Sequence, residues 1–247
     1  MWQSLRNELH PLGFELVTVG LDTLGGAGCR ESIEAAKPEH PSLIDRHHVM
    51  AELFGVINIP SSVWIDERGV IVRPAEAAPA PPQPDGRASR FKLTSEPGLP
   101  QRFAEISAEA VKIKRDAPGY HAALRDWIER GEQSPYALSP EQVVERSRPR
   151  DADKALGHAH FQLASQLELD GHHDAAVPHF REAHRLVPES WTFKRQAWSL
   201  EPVGEGPLAR FYQGPNPDAP EAWPYEGDWL SDVRQVGAEN YSEPWRP

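Results

Sequence analysis

Cys29 is the only cysteine in this chain of 247 residues. One thiol excludes an intrachain disulfide framework, and it excludes a dithiol relay run by a single chain. Long hydrophobic runs are missing too. No stretch approaches the roughly 18 apolar residues of a membrane span, and no basic segment followed by an apolar one reads as a secretory signal. The expected compartment is therefore the cytoplasm, with no membrane partner. Positive charge is scarce, with 26 Lys and Arg against 37 Asp and Glu, a net charge of −11. That balance argues against nucleic acid, whose phosphates call for Lys and Arg gathered on one face. Apolar residues make up 39% of the chain, below the roughly 45–50% of an ordinary globular protein.

Proline, by contrast, is abundant: there are 25, roughly twice average usage. The chain divides by composition. Residues 1–74 alternate apolar strand patterns with helical spacing, as β-α-β units do. Within them, Phe14, Leu16, Val17, Val19 and Leu21 form a nearly continuous apolar run over 14–21, suited to a strand covered on both faces. Short helices are expected over 31–36 and 47–54, the second with Val49, Leu53 and Phe54 on its apolar side. Residues 75–100 are rich in Pro and Ala and read as a linker or insertion. Residues 101–200 read as helical, and 201–247 as an irregular tail rich in Pro, Gly and aromatics. With few aliphatics such a tail cannot build its own core, and its aromatics are expected to wrap over the body.

The segment 41–74 is the most informative. Residues 62–66 and 70–73 are strand-like and flank Glu67-Arg68-Gly69, a spacing that suits a three-residue hairpin turn with Gly last. Pro60 stands just before the first of these strands. Proline has no N–H and belongs at strand starts or edges, and an X–Pro bond in such a turn can be cis.

Phe54, Gly55, Val56, Pro60, Ile65, Asp66 and Gly69 together resemble a signature of thioredoxin-like redoxins of the ResA/TlpA type, within the AhpC/TSA-related superfamily. A helix over 5–9, Gly13 and a strand ending at Asp22 extend the resemblance upstream, and a closing helix near 118–130 extends it downstream. The resemblance implies an α/β fold with a thioredoxin-like sheet and a thiol–disulfide or peroxide-reducing activity. Its substrate would be a protein disulfide or a peroxide. It also implies that Ile59 and Pro60 form the substrate-binding turn, with the Ile59 backbone offered to an extended substrate. The Cys-x-x-Cys pair of those proteins has no counterpart here, and neither does their first, central strand. The expectation is that the domain is N-terminally truncated and that Met1 is an internal methionine. A cysteine or selenocysteine motif would then lie upstream. The alternative is a non-catalytic interaction protein that uses the same fold as a scaffold.

Ser139-Pro140-Glu141-Gln142 is a helix start, with a serine cap and proline in the first turn. Residues 155–188 resemble one tetratricopeptide repeat: Leu163, Ala164 and Leu167 fall in a first helix, Gly171 in the turn, and Ala176, Phe180, Ala183 and Pro188 in the second part. One such unit cannot bury its face alone. It would be capped by residues 188–200, with Trp191, Phe193 and Trp198, or dock on the redoxin part, or hold a protein partner.

The remaining candidates are weaker. His158 and His160 are two apart and His179 and His184 five apart, so neither pair shares a helix face. No metal site and no cofactor is expected, and the histidines are read as solvated. Gly25-Gly26-Ala27-Gly28 lacks the Lys-Ser/Thr of a phosphate loop and is read as a turn. Cys29, near a helix start where the dipole would lower a thiol pKa, is kept as an auxiliary thiol; no residue is assigned a catalytic role.

Overall fold

The computed structural model describes residues 2–79, 101–147, 149–201, 213–216, 219–242 and 245–247. The fold is mixed α/β and mostly helical. The chain opens with α1 (Trp2–Leu9), followed by β1 (Thr18–Leu21), α2 (Gly26–Ala36), β2 (Ser42–Asp45) and α3 (Val49–Phe54). Next come β3 (Ser61–Ile65) and β4 (Ile71–Ala77), and then helices: α4 (Gln101–Ala110), α5 (Ala117–Arg130), α6 (Pro140–Arg146), α7 (Ala152–Leu169), α8 (His173–Leu186), α9 (Trp191–Leu200) and α10 (Trp229–Val236).

Among the described residues the strands form two separate pairs. β1 lies parallel to β2, with Thr18 opposite Ser42 and Leu21 opposite Asp45. β3 runs antiparallel to β4, with Ser61 opposite Ala77 and Ile65 opposite Ile71. The hairpin closes because Gly69 adopts φ +80°, open to glycine at no steric cost, while Asp66 Oδ1 accepts from Arg68 N–H and Val70 N–H. Strand β4 runs past residue 74, so the sequence boundary of the presumed linker falls inside a strand. Pro74 is tolerated because only one edge of β4 is paired. The rest of that presumed linker, residues 80–100, lies outside the described residues.

Two expectations of burial fail in this half. The run 14–21 yields a strand of only four residues, and Val17 is 51% exposed instead of covered. β1 has a single partner of equal length, so nothing holds the preceding residues extended. In α3, Leu53 is 70% exposed and Val49 also faces solvent; the small Ala51 is the buried residue. The helix begins after His48, which sits at φ +55°, because the Asp45 carboxylate accepts from the N–H groups of Val49, Met50 and Ala51 at 2.9, 2.7 and 3.2 Å. That side chain satisfies three of the donors a helix start leaves open.

Gly26 and Gly28 are not a loose turn but the first turn of α2. A Cβ on Gly28 would sit 2.1 Å from Asp22 Oδ2, so only glycine lets that carboxylate lie against the helix.

The described residues form two hydrophobic cores. The smaller joins Leu5 and Leu9 of α1, Trp64 and Val72 of the hairpin, and Tyr120, Ala123 and Leu124 of α5. The larger joins Phe161 and Ala164 of α7, Ala176, Phe180 and Ala183 of α8, and Phe193, Ala197 and Trp198 of α9, with Tyr225, Trp229, Leu230, Val233 and Tyr241 of the tail. The tail is therefore not irregular throughout: 229–236 is a helix, capped by Asp228 and closed on the core by Trp229, Leu230 and Val233.

A helical hairpin spans the region expected for it, with Gly171 at φ +79° in its turn. α9 caps it, the Phe161 and Phe193 rings stacking at 4.4 Å. The hairpin also docks on the N-terminal half. Thr23 N–H donates to Gln196 Oε1 (3.0 Å), Thr192 N–H donates to the Ile57 carbonyl (3.1 Å), and the His48 ring lies 4.6 Å from that of Phe161.

Candidate functional site at the Ile59–Pro60 turn

The turn between α3 and β3 carries the residues that the sequence points to. The Ile59–Pro60 peptide is cis. Around it lies a groove of about 310 Å³, lined by Ile57, Asn58, Ile59, Pro60 and Ser61 on one side and by Ala75, Glu76, Ala77 and Ser242 on the others. Ile59 is 50% exposed. The backbone at this turn is largely committed. Ile59 N–H donates to Asn58 Oδ1 (2.8 Å), Ser61 Oγ donates to the Asn58 carbonyl (2.6 Å), and Ala78 N–H donates to the Pro60 carbonyl (3.0 Å). The Ile59 carbonyl takes no hydrogen bond among the described residues. Of the two backbone groups that an extended ligand would read at Ile59, then, one is free and the other is capped by its neighbour.

Asn58 also reaches the C-terminal tail: its Nδ2 donates to the Tyr241 carbonyl (2.7 Å). Farther along, Trp245 packs edge-on to Tyr120 at 6.3 Å, and Arg73 and Arg146 both donate to the Arg246 carbonyl. The tail thus crosses the hairpin beside the groove.

Glu76 is a groove residue that the sequence reading missed. It lies in the extension of β4 that was assigned to a linker, and its carboxylate is paired twice with the buried Arg73 guanidinium, at 2.6 and 3.0 Å. Burial pushes the Glu76 carboxyl above the usual carboxylate range, against the opposing pull of Arg73. Arg73 itself is sandwiched over the rings of Trp64 (5.3 Å) and Trp245 (5.8 Å). The sequence Ile71–Ala77 shows no apolar–polar alternation and its burial does not alternate, so no periodic signal marked β4 as continuing past Pro74.

Cys29 is not part of the groove. It sits one turn into α2, buried, with its Sγ packed against Gly20 of β1. Burial, and then the nearby Asp22 carboxylate, raise its thiol pKa. The lowering expected from the helix dipole is outweighed, and an inert structural thiol is what such surroundings produce.

A second cleft, of about 430 Å³, opens between α3 and α7, with Glu52, Arg150, Lys154 and His158 in its wall. Glu52 is held there by Arg150 (2.8 Å) and by Gln162 Nε2 (2.9 Å).

The histidines differ from expectation as well. His48 is buried and His184 half-buried, neither solvated as expected, and loss of water around the rings lowers both to about 4. His160 and His179, on different helices, face each other with their Nδ1 atoms 2.9 Å apart. Among the described residues no group of three or more His, Cys, Asp or Glu is placed to hold a metal, and no helix is long and apolar enough to cross a membrane.

Neither a protein-family model, nor a curated protein, nor a solved structure matches this chain.

Proposed function

We propose that residues 2–79, with α5, form the body of a thioredoxin-type redoxin of the thiol–disulfide oxidoreductase or peroxide-reducing kind. Its redox pair would be carried by a strand and helix turn outside these 247 residues. The observation that carries this reading is the divided sheet. A parallel pair, β1–β2, and an antiparallel pair, β3–β4, are what one mixed sheet leaves when its central strand is taken out. Two-stranded pairs are marginal alone, and an open strand edge is costly. Val17, Leu43, Ile44 and Ile65, exposed here, are residues that a completed sheet would help to cover. The common core of α1, the hairpin and α5 also supports the reading.

In such an enzyme a thiolate or selenolate attacks one sulfur of a substrate disulfide and the other sulfur leaves as a thiolate. A second cysteine then attacks the mixed disulfide, so two electrons pass to the substrate and a new disulfide or selenenyl sulfide remains. The Ile59–Pro60 turn would take the substrate backbone through the free Ile59 carbonyl, with Glu76 as the carboxyl in the same groove. The 155–188 hairpin would be a tetratricopeptide-like unit packed on the redoxin body.

One observation favours a second reading, a non-catalytic scaffold that binds a protein partner. The Ile59 N–H is already capped, and the tail residues Tyr241 and Ser242 are seated at the groove. Intact mass of the native protein from its source, with selenium detection, separates the two. A mass well above 27.6 kDa with additional N-terminal peptides, and disulfide reductase or peroxidase activity of that protein, is the expected result. A mass matching the 247 residues, without activity, overturns the enzyme and leaves the scaffold.

A further inference from the structure

α7 and α8 each carry one histidine at the middle of their crossing. His160 projects from α7 and His179 from α8, with ring centroids 5.1 Å apart, planes tilted by 33° and the two Nδ1 atoms separated by 2.9 Å. Both rings are half-buried. As drawn, the pair is a hydrogen bond between two imidazoles, one the donor and the other the acceptor. Their spacing also matches a ligand set. With metal–nitrogen bonds of roughly 2.0–2.1 Å, two nitrogens in cis positions of a square-planar or tetragonal ion stand about 2.9 Å apart. In a tetrahedral ion they stand about 3.3–3.4 Å apart.

We propose that His160 and His179 form a two-nitrogen site for a divalent ion of tetragonal preference, with Cu(II) the tightest and Ni(II) next. The separation lies nearer the tetragonal than the tetrahedral spacing, and imidazole ligation with square-planar geometry is what Cu(II) and Ni(II) favour. The ion takes the place of the shared proton: the donor ring gives up its Nδ1 proton to solvent and takes one up at Nε2, so both rings ligate through Nδ1 as neutral imidazoles and no net proton is released. Glu182 adds negative potential. It stands three residues beyond His179 and is held chiefly by Arg185, and the electrostatic influence of His160 is felt at its carboxyl. Water completes the coordination, since no third histidine, cysteine or carboxylate converges among the described residues. The ion would tie α7 to α8 across the helical hairpin without touching the Ile59–Pro60 groove.

The test is a titration of the full chain with Cu(II) from a glycine-buffered stock, which suppresses weak surface binding. It is read by electron paramagnetic resonance and by thermal unfolding. One equivalent should give a tetragonal signal with hyperfine coupling to two imidazole nitrogens and should raise Tm, and Zn(II) should raise it less. His160→Ala and His179→Ala should each abolish the one-equivalent signal and the shift, while His172→Ala, on the exposed turn, should leave both intact. His160→Phe keeps ring packing if the alanine variant unfolds, and it too should lose the signal. A first equivalent coordinated by fewer than two nitrogens in the unaltered protein, or one that survives His160→Phe, would overturn the site.

Discussion

Asn58 joins the proline turn to the far end of the chain, its amide nitrogen donating to the Tyr241 carbonyl at 2.7 Å while its amide oxygen accepts from Ile59 N–H at 2.8 Å. One buried side chain therefore both caps the turn and holds the tail beside the groove. Ile57, one residue earlier, accepts from Thr192 of α9, so the turn is pinned between the hairpin half and the tail.

Asn58→Ala should release both groups at once. The buried Tyr241 carbonyl would lose its partner, an omission worth roughly 1–3 kcal/mol, and the part-buried Ile59 N–H would be left to solvent at a smaller cost. Hydrogen exchange should speed up at the Ile59 amide, and proteolytic cleavage should increase near Tyr241. Unchanged exchange at Ile59 would show that another acceptor caps this turn.

Arg73 and Glu76 form a second test of the same region. Arg73 is fully buried, and apart from Glu76 its partners are backbone carbonyls and two indole rings. Removing Glu76 alone, as Glu76→Leu, strands a charge in the core and should cost roughly 3–5 kcal/mol in denaturant unfolding. Arg73→Met combined with Glu76→Leu should recover much of that loss, because the double change strands no charge. A double variant as weak as the single one would mean that Arg73 stabilises chiefly through Tyr136, Arg246 and the rings.

Local signals in the sequence were legible where one residue type dictates one geometry. Gly69 closed the hairpin, Ser139 capped the helix start expected there, with Gln142 completing a capping box, and Ala176, Phe180 and Ala183 lined the buried face of the 173–186 helix. What misled was hydrophobicity taken as burial. Val17, Val49 and Leu53 are apolar and exposed, because burial depends on which strands and helices come to lie against them. The extension of β4 was hidden by Pro74, a residue that ends most strands but is allowed on an open edge. Glu76 went unnoticed for the same reason. The pairing of His160 with His179 joins different helices, and spacing along one helix carries no trace of it.

Gly157 illustrates packing that overrides propensity. Alanine favours a helix interior over glycine by roughly 1 kcal/mol, so Gly157→Ala would stabilise an isolated α7. Here a Cβ at 157 would meet Val187 Cγ2 at 2.4 Å, and overpacking of that kind costs typically 1–3 kcal/mol. Gly157→Ala should therefore lower Tm, and adding Val187→Ala should relieve the clash, giving a favourable coupling in a double-mutant cycle. Additive losses would mean that the two sites relax independently.

Acid should loosen the structure well above the range in which carboxylates protonate. His48 and His184 are held to about 4 by burial, against an ordinary value of 6.5. His48 lies against Phe161 with Asp45, His47 and His158 as the charges acting on it, and His184 lies between Trp198 and Tyr225 with Lys194 nearby. In both cases the folded state binds a proton less readily than the unfolded chain. The stability that each contributes is complete above about 6.5 and is lost as pH falls toward 4, at roughly 1.4 kcal/mol per unit of pH for each ring. His173 works the other way. Burial lowers its pKa, but Glu168 and Glu201 outweigh burial and raise it, so this residue stabilises the fold in acid. Urea unfolding at pH 7.5 and 5.5 should show a lower midpoint at the lower pH, and His48→Phe, which keeps the ring against Phe161, should remove part of the difference. Equal midpoints at the two pH values would mean that His173 and the raised carboxyls of Glu76 and Glu201 offset His48 and His184 in full.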